Sequence, residues 1–257
     1  MNTILDQIVA SKQVEIQQLK QAGTLLDYAQ SPLFNRKVIS LKKNIRDQFG
    51  IIAEIKRKSP GAGEINRNLD ILSQVEQYEK QGACGISVLS DYRYFGGSIE
   101  DIVQVRNRTD LPILRKEFIL DEYQLFESKA AGADAVLLIA SILEKEQAHQ
   151  LTIVAKSLGL EVLFEIHSFE ELNKLNEEID VLLVNNRNLK TQQTNVEHSF
   201  KLASYLPEHV LKISASGISS SDQLIQLQNH GFNGALIGES LLKGTFHFAS
   251  TSNTSVL

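Results

Sequence analysis

Eight short apolar runs, each bounded by Gly, Pro, Asn or charge, recur from Ile51 onward and alternate with longer polar stretches that suit helices. They are IIAEI at 51, GISVL at 85, LPILR at 111, AVLLI at 135, EVLFE at 161, VLLVN at 181, VLKIS at 210 and GALIG at 234. Runs of this kind are typical of strands covered on both faces, and their alternation with helical stretches is the pattern of a parallel sheet made of βα units. Eight is the number that closes such a sheet on itself, so the pattern predicts an α/β fold, a single (β/α)8 TIM barrel. Three junctions, QGACGISVLS, AGADAVLLIA and HGFNGALIGE, resemble one another, as a repeated unit requires. The rival is a doubly wound open sheet, but IIAEIKRKSPGAG matches neither a dinucleotide-binding glycine pattern nor a P-loop.

Ahead of the first run, residues 3 to 20 put Ile4, Leu5, Ile8, Val9, Ile16 and Leu19 on one broad helical face and leave Asp6, Lys12, Glu15 and Gln17 elsewhere. This predicts an amphipathic helix in need of a partner surface. The expected organisation is one domain, with a helical extension over residues 1–50, the barrel over 51–243 and an atypical tail over 244–257. The tail, GTFHFASTSNTSVL, is rich in Ser and Thr, so the final barrel helix is expected to be short or missing.

A net charge of −5 over 257 residues argues against a nucleic-acid platform, while leaving room for a local cationic cleft. No segment approaches the roughly 18 apolar residues of a membrane helix, and the opening MNTILDQIVASKQVEI lacks the layout of a secretory signal. A cytoplasmic protein is expected. The single cysteine, Cys84, sits in GACGISVLS and reads as a buried thiol. The histidines show no metal-ligand spacing, so neither metal nor cofactor is expected.

In a barrel of this type the chemistry sits where strands end, so polar residues closing an apolar run are the candidates. Glu54 and Lys56 share one face of the first strand, and a carboxylate set in IIAEI is hard to justify without a task. Arg57 and Lys58, next along, read as solvated loop residues. The third run gives ILRKEF, in which Leu114, Lys116 and Phe118 share a face, while Arg115 and Glu117 point outward to an expected salt bridge. Lys116 among apolar neighbours and cations is expected to have a depressed pKa and to act as a general acid, with Phe118 able to hold a planar ring. On the fifth run Glu165 follows Leu163 in phase, with His167 next; Glu165 is the preferred acid or base and His167 the structural residue. Asn185 and Arg187 share a phase after the sixth run, suited either to a substrate carboxylate or to turn chemistry. Gly217 and Gly238, at the ends of the last two runs, are where this fold commonly cradles phosphate. Together these groups suit a phosphorylated small molecule with a second anionic group.

These motifs closely resemble the indole-3-glycerol-phosphate synthase family along nearly the whole chain. IIAEIKRKSP, SVLSDYRYFGGS, PILRKEFIL, GADAVLLIASIL, VLFEIHS, VNNRNL, SGIS and ALIGESL fall in that family's order, and the helix at residues 3 to 20 looks like its extra N-terminal helix. The resemblance implies a lyase of tryptophan biosynthesis that closes the indole ring of 1-(2-carboxyphenylamino)-1-deoxyribulose 5-phosphate with loss of carbon dioxide and water. It implies Lys116 as the general acid, Glu165 as the acid or base of dehydration, Lys56 as a contact to the anionic substrate and Glu54 as support for the lysines. Asn185, Arg187 and Ser216 would complete a polar wall, Phe95, Phe118 and Leu137 would pack on the ring, and Ser59, Gly217, Gly238 and Glu239 would hold phosphate. A monomer or weak homodimer is expected, with association with other enzymes of the same pathway left open.

Three departures from the family pattern stand out. Gly61 replaces the usual Ser or Thr, Ala215 replaces the usual Glu, and the tail lacks the usual apolar helix. Two alternatives therefore stay in view: a noncatalytic barrel that binds a phosphate ligand, and another phosphosugar enzyme such as phosphoribosylanthranilate isomerase, which would need a thiol and carboxylate pair.

Overall fold

The computed structural model describes residues 3–188 and 191–248. Its eight main strands are β1 (Gly50–Ile55), β2 (Gly85–Leu89), β3 (Ile113–Lys116), β4 (Ala135–Ile139), β5 (Glu161–Ile166), β6 (Val181–Asn185), β7 (Leu211–Ala215) and β8 (Gly234–Ile237). All eight pair in parallel with their sequence neighbours, and β8 closes on β1 through Gly50 opposite Gly234, giving a closed barrel. The (β/α)8 expectation holds. The third strand starts two residues later than the apolar run, because Pro112 has no N–H to give the ladder, although its carbonyl accepts from the Ile86 N–H. The alternation is also less regular than expected, since only a 3₁₀ turn, Glu170–Lys174, stands between β5 and β6.

Side-chain alternation along these strands builds two apolar layers. Ile52, Leu114, Leu137, Leu163, Leu183, Ile213 and Leu236 point into the barrel, while Ala53, Ile86, Ile113, Val136, Val162 and Leu182 point out against the helices. The short helix Leu41–Asp47 closes the N-terminal end of the barrel by inserting Leu41 and Ile45, both fully buried, into the inner layer. After β8 the chain forms a four-residue helix, Glu239–Leu242. Phe246 and Phe248 follow it and are buried in the outer layer. The rest of the tail lies outside the described residues.

Helix α1 (Ile4–Ala22) starts with a capping box in which Asp6 N–H donates to Thr3 Oγ1 and Thr3 N–H donates to Asp6. Ile8 and Ile16 are buried as expected, but Lys12 is not on a solvated face. It is 3% exposed, with its ammonium 2.8 Å from Asp91 and 3.2 Å from Glu117, and it also donates to Glu15 at 2.7 Å. Helical periodicity cannot anticipate this, because Asp91 and Glu117 belong to the loops after β2 and β3 and meet only when the barrel closes. Burial works against the Lys12 charge, yet Glu117 and Asp91 outweigh it and raise its pKa. The pair therefore stabilises the fold through neutral pH and loses that contribution only as pH rises above the ordinary lysine range.

Removing one partner of a buried ionic cluster strands the others, at a cost of about 3–5 kcal/mol. Lys12→Met is expected to lower unfolding free energy by about 3 kcal/mol. Lys20→Met breaks the exposed pair with Asp121 and should cost under about 1 kcal/mol. Urea denaturation of both variants checks this, and a Lys12 variant as stable as wild type would contradict it.

Candidate active site

The inward phase of four strands changes character at the C-terminal end of the barrel. On β1, Ile52 is followed inward by Glu54 and then Lys56; on β3, Leu114 by Lys116 and Phe118; on β5, Leu163 by Glu165; on β6, Leu183 by Asn185 and Arg187. The apolar layer below is thus capped by a polar one. These residues line a cavity of about 420 Å³ whose walls also include Ile4, Leu5 and Ile8 of α1. All the site residues expected from the sequence line it except Leu137. Leu137 is fully buried in the inner apolar layer, and the residue of β4 that reaches the cavity is Ile139, two positions nearer the strand end.

Lys116 keeps 17% of its side chain exposed, towards the cavity, and its ammonium lies 3.5 Å from Glu165. Glu54 receives a hydrogen bond from Lys56 Nζ at 2.6 Å. The Asn185 amide donates to Glu165 Oε1 at 3.1 Å, and the backbone N–H of Arg187 donates to Asn185 Oδ1 at 3.0 Å. Glu54 is therefore held by a cation two residues along its own chain, and Glu165 by an amide and a cation from two other strands. Phe95 and Phe118 stand on one wall with ring centres 6.0 Å apart and tilted by 37°, leaving an apolar face beside Lys116.

The expected depression of the Lys116 pKa is reversed. Burial lowers it, but Glu165 and Glu54 together outweigh burial and hold it above the ordinary lysine value. Burial likewise pushes Glu165 up, and Lys116, His167 and the Asn185 amide pull it down below the ordinary carboxylate value. Cations near Lys116 are visible along the sequence, whereas the carboxylates that oppose burial arrive from β1 and β5. His167 stands closer to the chemistry than expected, with Nε2 3.4 Å from Glu165 Oε1, while its burial depresses its own pKa and favours the neutral imidazole.

Arg57 also departs from expectation. Its guanidinium makes a bidentate pair with Asp101 and donates to the Gly96 carbonyl, and its N–H donates to the Phe95 carbonyl, so it fastens the loop after β1 to the short helix that carries Phe95. Lys58 reaches the Arg93 carbonyl in the same way. Arg115 and Glu117 point outward as expected, but they are buried, with Arg115 paired to Glu127 at 2.6 Å and Glu117 to Lys12.

Ser59, Ser216, Gly217, Gly238 and Glu239 line the same cavity. A Cβ on Gly238 would fall 2.4 Å from Glu54 Oε1, so only glycine lets β8 pass this close to the buried acid. Glu239 is paired with Lys243 at 2.7 Å, and that hydrogen bond lowers its pKa. Ala215 faces the cavity from β7, putting a methyl group beside Asn185 in the register. Cys84 lies just before β2 at the opposite end of the barrel, and burial pushes its thiol up to about 12.

Comparison with known proteins agrees with this geometry. The model of the family described as indole-3-glycerol phosphate synthase matches residues 5–251. A curated indole-3-glycerol phosphate synthase from Bacteroides thetaiotaomicron is 44% identical over 244 residues, covering 95% of this chain and 94% of that protein. Another, from Carboxydothermus hydrogenoformans, is 44% identical over 214 residues, covering 82% and 81%. Among solved structures, the tryptophan synthase subunit alpha of Legionella pneumophila superposes with a TM-score of 0.57 at 18% identity, over 79% of this chain and 87% of that one. That likeness concerns the barrel fold alone. The match over nearly the whole sequence is decisive, and the chain belongs to the indole-3-glycerol phosphate synthase family.

Proposed function

We propose that the chain converts 1-(2-carboxyphenylamino)-1-deoxyribulose 5-phosphate to indole-3-glycerol phosphate, carbon dioxide and water, a step of tryptophan biosynthesis. The observation that carries this reading is a cationic Lys116 beside the Phe95–Phe118 pair, held by two buried carboxylates in a cavity that Gly217 and Gly238 also line. No other group is needed to write a balanced reaction. Phe95, Phe118 and Ile139 would pack on the anthranilate ring, Arg187 and Lys56 would meet anionic groups, and the backbone at Gly217 and Gly238 would hold the phosphate.

The ring carbon bearing the carboxylate attacks the ribulose carbonyl carbon as Lys116 passes its proton to the carbonyl oxygen. Loss of carbon dioxide returns the electron pair of the broken carbon–carbon bond to the ring. The new hydroxyl then leaves as water on a proton from Lys56, while the ring methylene next to nitrogen gives up a C–H proton to the Glu165 carboxylate, which leaves an indole that keeps its N–H. Asn185 keeps Glu165 oriented, and Glu54 keeps Lys56 in place. Ala215 leaves Glu54 and Glu165 as the acids supporting these transfers. The isomerase alternative lacks support, because the one thiol is buried, un-ionised and at the wrong end of the barrel.

Supplying the carboxyphenylamino substrate and following indole fluorescence tests the reading. Product at a steady turnover is expected, whereas wild-type protein that binds the substrate and forms none would leave the noncatalytic binding barrel. Lys116→Met is expected to bind substrate nearly as wild type and to lose about 10²- to 10⁴-fold in kcat, the usual contribution of a placed general acid. Because the Lys116 pKa is raised, its acid form persists through neutral pH. The kcat profile should therefore fall only above the ordinary lysine range; a lysine limb near neutrality would contradict the assignment.

A further inference from the structure

One residue behind the site, Asn186 makes a buried network that the reaction as written does not use. It is 3% exposed and follows the inward-pointing Asn185, so its side chain leaves the opposite face of the chain. Its amide hydrogen-bonding capacity is filled. Nδ2 donates to Ser214 Oγ at 2.9 Å and to the Ser216 carbonyl at 3.0 Å, while Oδ1 accepts from the Ser199 N–H at 3.1 Å and from Ser199 Oγ at 2.8 Å. The two serine hydroxyls lie 2.7 Å apart, and both serines are fully buried. The Asn186 N–H also donates to the Ala215 carbonyl at 2.8 Å.

What this network grips is an unfavourable stretch of backbone. Ser216 has φ +73° and Gly217 φ +78°, and a left-handed conformation costs a non-glycine residue roughly 1–2 kcal/mol. A serine stays there only when its surroundings hold it. In a trans peptide the carbonyl and the next N–H point in opposite directions. Fixing the Ser216 carbonyl on Asn186 therefore turns the Gly217 N–H away from Asn186, at residues that line the cavity.

We infer that Asn186 is a positioning residue for the phosphate, acting through the Ser216–Gly217 peptide and touching neither the substrate nor the reacting atoms. The inference rests on the proposed reading of the cavity as a phosphosugar site. It separates two properties that a general structural role would not: Asn186 governs affinity for the phosphate end and leaves ring closure alone.

The test compares wild type with Asn186→Ala, and with the milder Ser199→Ala, which removes only the hydroxyl donor to Asn186. KM and kcat are measured for the phosphorylated substrate, kcat/KM for its dephosphorylated counterpart, and the inhibition constant for inorganic phosphate. Asn186→Ala is expected to raise KM and the phosphate inhibition constant together by about tenfold or more, the loss of one well-placed charge-assisted hydrogen bond. The kcat and the activity on the dephosphorylated substrate should stay within about twofold, as interactions uniform to ground and transition state predict. Unchanged phosphate affinity overturns the inference, as does an equal fall on both substrates. If Asn186→Ala does not fold, the same comparison on Ser199→Ala decides, with a smaller shift in the same direction. If wild type forms no indole product, the reaction assignment fails on its own. The phosphate-induced rise in Tm, smaller in either variant than in wild type, then still supports the inference, and an equal rise overturns it.

Discussion

The arrangement depends on one electrostatic constraint: an ammonium, Lys116, held at the mouth of an apolar barrel within 3.5 Å of Glu165 and influenced by Glu54. Burial alone would neutralise such a lysine. Two carboxylates on β1 and β5, neither adjacent to β3 in the sheet, reverse that tendency. Their positions are set by strands whose lower halves are packed solid with Ile52, Leu114 and Leu163, so the charge relationship inherits the stiffness of the barrel core.

The same alternation that makes the core makes the site. On β1, β3, β5 and β6 the inward positions are aliphatic low in the barrel and polar at the strand ends, which spares the fold a separate scaffold for its chemistry. Further groups then fasten the loops that carry this polar layer. Lys12 ties α1 to the loops after β2 and β3, Arg57 ties the loop after β1 to the Phe95 helix, and Asn186 ties the end of β7 to β6. These are buried or part-buried polar contacts that cost stability if left half-made, and each of them lies within a few residues of a cavity-lining side chain.

Much of this was legible in the sequence because both signals are local. Eight apolar runs give the strand count, and the phase of Glu54, Lys116, Glu165 and Asn185 within those runs places them inward at the strand ends. What escaped was decided by partners distant in sequence. Lys12 lies off the apolar face of its helix until Asp91 and Glu117 meet it; the sign of the Lys116 shift depends on acids from two other strands; and Asn186 has no legible role until Ser199 and Ser214 close around it. The choice of Leu137 over Ile139 missed by one inward layer, because the depth of the cavity floor is set by the barrel's stagger, which no single run records.

The most direct test of the central constraint is the titration of Lys116 itself, read from its side-chain ¹³Cε resonance in lysine-labelled protein and assigned by its loss in Lys116→Arg. The account predicts a midpoint above that of the protein's exposed lysines in wild type, moving downward in Glu165→Gln, where burial is less opposed. A Lys116 that titrates below the exposed lysines in the wild-type protein would contradict it.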